Sequence, residues 1–150
     1  MPRNLFRSEL ETLIFALRPL VQTLHDPVID RILRDLELTI EYSRLSECRR
    51  FLIWGLLIGR DVDSFTSFFL SSKRQSITNP RRDTFNNRIN QICRTTNPLT
   101  SDPRIRGDLH TVRGLRNDLF HRAGKHFTPT EMQTFVFNSV KCIQQLIRDV

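Results

Sequence analysis

The stretch LRNDLFHR, residues 115–122, sets Arg116, Asn117 and His121 inside what otherwise reads as a helix. Together these residue types can do chemistry on a phosphate ester. The planar fork of an arginine takes two phosphate oxygens at once. A histidine titrates near neutrality and can accept or deliver a proton. An asparagine can orient either group. Helices also carry such residues on a wet face for solubility alone, so the set has to be weighed with the helix that holds it.

Winding that helix from Pro103 at about 100° per residue puts Ile105, Leu109, Val112, Leu119 and Ala123 on one stripe, the expected core face. Arg106, His110, Arg113, Asn117 and His121 fall on another side, with Gly114 beside them. A mid-helix glycine costs about 1 kcal/mol relative to alanine. Close approach of a partner helix or a nucleic-acid strand explains Gly114, and plain tolerance is the alternative. Arg116 falls close to the apolar stripe, where an unpaired guanidinium is very unfavourable. It therefore needs an acceptor. One reading is a structural ion pair with an acid such as Asp30, Asp35 or Glu41, and the other is a cleft arginine that receives a phosphate. In an intact helix Arg116 and His121 point about 140° apart. They converge only if the helix loosens near Asp118–His121, or if they meet across two subunits.

The elements around the motif announce themselves by their punctuation. Asp26–Pro27, Asp102–Pro103 and Thr128–Pro129 each place a capping side chain before a proline at the first helical position. Thr128 with Glu131 completes a capping box. Helices are expected over 7–24, 27–45, 46–59, 61–72, 84–95, 103–122 and 129–148, with Pro19 kinking the first and the second and third open to being one long helix. The loops between, SSKRQSITNPRR and TTNPLTSDP, are polar and contain proline. The expected architecture is one all-α domain over residues 1–150, an up-and-down bundle of six to seven helices. Phe65, Phe68, Phe69, Phe135 and Phe137 are the expected core filling.

Composition narrows the function classes. The run FLIWGLLIG (51–59) is far shorter than the roughly 20 residues that cross a bilayer and reads as a buried helix, so no membrane role is expected. The N-terminal MPRNLFRSELE does not read as a signal peptide. Cys48, Cys93 and Cys142 are odd in number and lack ligand-spaced histidines, which points to a reducing cytoplasm and away from disulfides or zinc. The formal charge of +7 is uneven: residues 73–125 carry 12 Lys/Arg against 4 Asp/Glu, and the remainder 11 against 12. All but Lys73, Lys125 and Lys141 of the basic residues are arginines. The segment containing the motif thus holds all the excess positive charge, which suits phosphate or nucleic acid. Its expected contacts to RNA phosphates are Arg81, Arg82, Arg106, His110, Arg113, Arg122 and Lys125.

The form Arg-(four residues)-His in RNDLFH, with Asn117 directly after the arginine, resembles the signature of the HEPN superfamily. These are helical-bundle proteins, many of them metal-independent RNA endonucleases. The context is similar too: the motif ends one helix, a short basic loop follows, and a capped amphipathic helix closes the chain. The specific match is confined to the last third of the sequence. HEPN toxins regulated by nucleotidyltransferases carry His-x-Tyr at this motif, and Ala123 stands in the tyrosine position here, which sets the chain apart from that subgroup. The resemblance implies a symmetric homodimer whose two motifs share one cleft, acting on RNA in a toxin or antiviral-defence setting, with an antitoxin or regulatory protein as a further partner.

RNA can be cut without metal when a base removes the 2′-hydroxyl proton and an acid protonates the leaving 5′-oxygen. Fixed donors must then stabilise charge on the phosphate. On this scheme Arg116 holds the phosphate, Asn117 orients, and His121 is the general acid or base. No cofactor is called for, and no metal: residues 104–127 contain only Asp108 and Asp118, too few carboxylates for a two-metal site. A second histidine comes from the other subunit, or from His110 or His126. His110 reads as a surface or phosphate contact, His126 as a loop residue, and His25 as a helix end without a role. The competing readings are a non-catalytic HEPN-like module binding RNA or protein, and an unrelated basic helical protein whose arginines only contact phosphates.

Overall fold

The computed structural model describes residues 3–42, 47–75, 81, 83–121 and 128–150; among these, the side chains of 3–7, 39, 41–42, 47–55, 119–121 and 129 are outside the description. Two of the three proline-marked starts form as spelled. Asp26 Oδ1 accepts from the Val28 and Ile29 amides (2.8 and 3.3 Å), and helix α2, Pro27–Tyr42, begins there. Thr128 and Glu131 make the reciprocal capping box, at 3.1 and 2.9 Å, that opens α6, Pro129–Asp149. The third start is displaced. Asp102 accepts from the Arg104 amide (3.2 Å), but residues 103–104 form a tight turn, and α5 begins two residues late, at Ile105–His121.

The remaining helices are α1 (Arg3–Leu24), α3 (Glu47–Ser72) and α4 (Phe85–Ile92), and no strand occurs among the described residues. Helix α1 continues past Pro19, and His25 leaves it at a φ of 49° to let the chain turn back within two residues. The segments 46–59 and 61–72, expected as two helices, are one: Gly59 is accommodated inside α3 rather than breaking it. Nor do the second and third expected helices form one rod. Arg60 on α3 bonds Asp35 on α2 at 2.6 Å, whereas one continuous helix would hold residues that far apart in sequence roughly 37 Å apart. Helix α4 starts at its Thr84 cap and stops at Cys93, shorter than expected, because the chain bends back so that the Leu99 amide bonds the Ile92 carbonyl at 2.9 Å.

Helix α1 packs on α2 and α2 on α3, both α1 and α3 pack on α6, and α5 lies against α3 and α6 with α4 beside α3 and α5. The result is an all-α bundle. Each helix contributes a stripe at three- and four-residue spacing: Leu10, Ile14, Leu17 and Val21 from α1, and Val62, Phe65 and Phe69 from α3. Phe135 joins the core as expected, but Phe68 and Phe137 are only partly buried against it. The run at 51–59 is not buried throughout either, since Leu56 is exposed on the outer side of α3. Among the described residues no helix is long and apolar enough to cross a membrane.

One clasp bears on where α5 begins. Asp149, at the end of α6, accepts from Thr100 Oγ1 (2.6 Å), the Ser101 amide (3.0 Å) and Ser101 Oγ (2.7 Å). Burial alone would raise its pKa, but these bonds and one from Gln145 bring it below the ordinary aspartate value. The loop entering α5 is thereby tied to the last turn of α6.

Candidate active site

Helix α5 buries Ile105, Leu109 and Val112, as its stripe requires; Leu119 and Ala123, assigned to the same stripe, lie outside the described side chains. On the adjoining face Arg106 is exposed and donates to Asn90 Oδ1 on α4 at 3.0 Å. His110, Arg113 and Asn117 are half-buried along the same helix. Burial lowers the His110 pKa, and the charges of Arg113 and Arg106 lower it further, so the imidazole favours its neutral form. Its Nδ1 and Arg113 Nε are buried and have no hydrogen-bond partner among the described residues. Among the described residues Gly114 faces open space, since a Cβ there would meet nothing within 4 Å, and its lack of a side chain serves no packing against them.

Arg116 does have the anionic partner that its position near the core demands. Among the described side chains, the acid is neither Asp30 nor Asp35. Asp35 is engaged by Arg60, Asp30 is exposed, and the Glu41 side chain is outside the described residues. All three sit on α2, whereas α5 packs chiefly against α3, α4 and α6. The partner is Asp63 of α3, whose Oδ2 lies 2.7 Å from Arg116 Nη2. Asp63 Oδ1 faces Nη2 of Arg88, an arginine of α4 that also pairs with Asp83 and donates from Nε to Thr66 Oγ1 at 3.0 Å. One carboxylate is thus divided between two arginines, one oxygen for each.

Two further residues shape the slot. The Arg116 guanidinium carbon lies 5.6 Å from the centroid of the Phe85 ring, within cation–π range. Its stem runs over Gly59, where a Cβ would come within 3.0 Å of Arg116 Cγ and 3.3 Å of Cδ. This is the glycine on which a close approach depends, and it is on α3, not α5. Burial lowers the Arg116 pKa, and for Arg88 burial acts with the neighbouring charge of Arg116 in the same direction. With 25% of its side chain still exposed, Arg116 is neither a core residue nor a free surface one.

His121 closes α5, but its side chain is outside the described residues, as are Arg82, Arg122, Lys125 and His126. Arg81 is described and exposed. The structure therefore brings Arg106, His110 and Arg113 together on one face and fixes Arg116 at its edge. No cluster of three His, Cys, Asp or Glu side chains suited to a metal occurs among the described residues. Asp63, Arg88, Phe85 and Gly59 were not legible as site residues. A signal existed for three of them: Gly59 and Asp63 are four apart, hence on one helical face, and Arg88 interrupts the apolar stripe Phe85–Ile89–Ile92 just as Arg116 interrupts its own. Comparison of the chain with family models, curated proteins and solved structures gives no match.

Proposed function

We propose that this chain is a metal-independent RNA endonuclease that works as a homodimer, with Arg116 holding the scissile phosphate, His121 transferring a proton and Asn117 orienting them. The observation that carries the reading is the state of Arg116. A guanidinium clamped by Asp63, backed by Phe85 and partly open to solvent has the preorganisation that a charge-stabilising group needs. It sits on the helix that ends in His121, beside the basic face of Arg106, His110 and Arg113. The resemblance of Arg116, Asn117 and His121 to the HEPN motif supplies the reaction class. It also supplies the toxin or antiviral setting, with an antitoxin or regulator as a partner. Cys93 and Cys142, free and buried, suit a reducing cytoplasm.

The dimer follows from the chemistry, which needs two proton-transfer groups where each motif carries one histidine. The open surface at Gly114 leaves room for the second copy. Wild-type protein is expected to cut single-stranded or loop RNA in EDTA, leaving 2′,3′-cyclic phosphate ends, and to spare DNA, which lacks the nucleophile. His121→Ala should abolish cutting and keep most of the RNA binding. Cleavage that requires magnesium, or that survives in His121→Ala, rules the mechanism out.

A second reading has its own support. The charges of Arg88 and Arg116 are balanced by Asp63 and Asp83, as in a purely structural network. On that reading the chain is a non-catalytic module whose α5 face binds RNA phosphates. RNA binding that weakens with salt, without any cleavage product, would favour it.

A further inference from the structure

The four-charge cluster around Arg116 has no net charge, so it contributes little to drawing RNA in; that attraction falls to Arg106, Arg113 and the rest of the basic segment. What the cluster does control is direction. Asp63 cannot swing freely, because Arg88 holds its other oxygen and Arg88 is itself pinned by Asp83 and Thr66. Through Asp63, a buried arginine on α4 and a helix on the far side of the slot both fix where the Arg116 guanidinium points. The stem has no freedom to compensate on the side where it lies against Gly59.

We infer that Asp63 is a positioning residue for Arg116. It fixes the guanidinium so that the exposed quarter of the side chain is presented to a phosphate, and Gly59 and Phe85 form the two walls of the slot. This rests on the ribonuclease reading for its catalytic consequence, but the orientation of Arg116 can be measured independently of it. The rival role for the same contact is occlusion, in which Asp63 occupies the place of the phosphate and must leave before RNA binds. The two roles predict opposite results.

The test is Asp63→Asn in the full chain, read by cleavage kinetics and RNA binding, and by the Arg116 guanidinium signals in nitrogen-15 NMR. Positioning predicts that kcat falls about tenfold or more, as loss of an orienting partner does. KM should be unchanged or lower, because removing a carboxylate makes the cluster net positive. The Arg116 guanidinium protons should exchange slowly in wild type and rapidly in this variant. A purely structural role would lower the melting temperature without this split between kcat and KM. Occlusion would keep kcat and lower KM, so that kcat/KM rises. Either of those results, or unchanged Arg116 signals, overturns the inference. Should Asp63→Asn fold poorly, Gly59→Ala displaces the Arg116 stem without altering any charge, and it should lower kcat while leaving the salt dependence of binding in place. If wild-type protein cuts no RNA at all, the ribonuclease reading fails, and the NMR comparison still decides whether Asp63 fixes Arg116.

Discussion

Asp61 and Asp63 are two residues apart on α3, so they leave the helix on different sides and meet opposite surroundings. Asp63 turns towards α4 and α5 and is shared by Arg88 and Arg116. Asp61 turns towards α2, is fully buried, and faces another acid, Asp35. Burial pushes its pKa up to about 8, reinforced by the hydrogen bond and the charge of Asp35, while Arg60 and Arg31 only partly oppose this. At neutral pH Asp61 therefore keeps its proton and donates it to Asp35, whose other strong contact is Arg60 at 2.6 Å. The same side chain on the same helix serves in one place as a charged hub and in the other as a neutral hydrogen-bond donor. What differs is burial and the neighbouring acid: Asp61 is sealed from solvent beside Asp35, whereas Asp63 is partly exposed between two arginines.

The comparison can be broken most severely at Arg88. Arg88→Ala would take one of two arginines from Asp63 and the cation from the more exposed Asp83. It would also remove the charge-assisted bonds of a buried side chain, so it should cost about 1.5–3 kcal/mol in denaturant unfolding. If the loss is below about 1 kcal/mol, the cluster is solvated and cannot fix Arg116.

The acid pair gives a pH-dependent effect. The folded-state pKa of Asp61 lies above the unfolded value, so the stability associated with its proton is fully present below about pH 4 and is lost as pH rises towards 8. Asp61→Asn keeps a donor to Asp35 and removes this titration. Relative to the variant, wild type should lose about 1 kcal/mol for each pH unit across that window, read by urea unfolding at several pH values. Parallel stability curves would show that Asp61 is ionised in the fold.

Smaller effects are expected where groups reach solvent. Gly114→Ala should stabilise the single chain by about 0.5–1 kcal/mol, since the added methyl meets none of the described residues and the helix gains a better former. Gly114→Leu should nonetheless weaken dimerisation, measured by sedimentation, because the open surface is then filled; equal dimer affinity would place the interface elsewhere. Arg60→Ala comes last, at less than about 1 kcal/mol, because the arginine is half exposed although it touches both acids of the pair.

The parts of the fold readable from the chain are those set by neighbours a few residues away. Asp26 and Thr128 cap the helices that follow them because cap and amide are two or three residues apart, and Ile105, Leu109 and Val112 share a face by helical pitch alone. The arrangement RNDLFH on a helix end is local in the same sense. By itself the sequence also required that Arg116 find a partner, since the cost of burying a bare guanidinium does not depend on the fold. Which partner it found was decided only by packing. Asp63 is more than fifty residues away, and its choice over Asp30 or Asp35 depends on α5 lying against α3 rather than α2. The same holds for the continuity of α3, where a glycine weak in helix propensity is retained because the Arg116 stem crosses its bare face. Local rules act through spacing along the chain, whereas charge pairing and close approach act through space, so only the assembled bundle turns Arg116 from a residue in need of an acceptor into one held in a fixed direction.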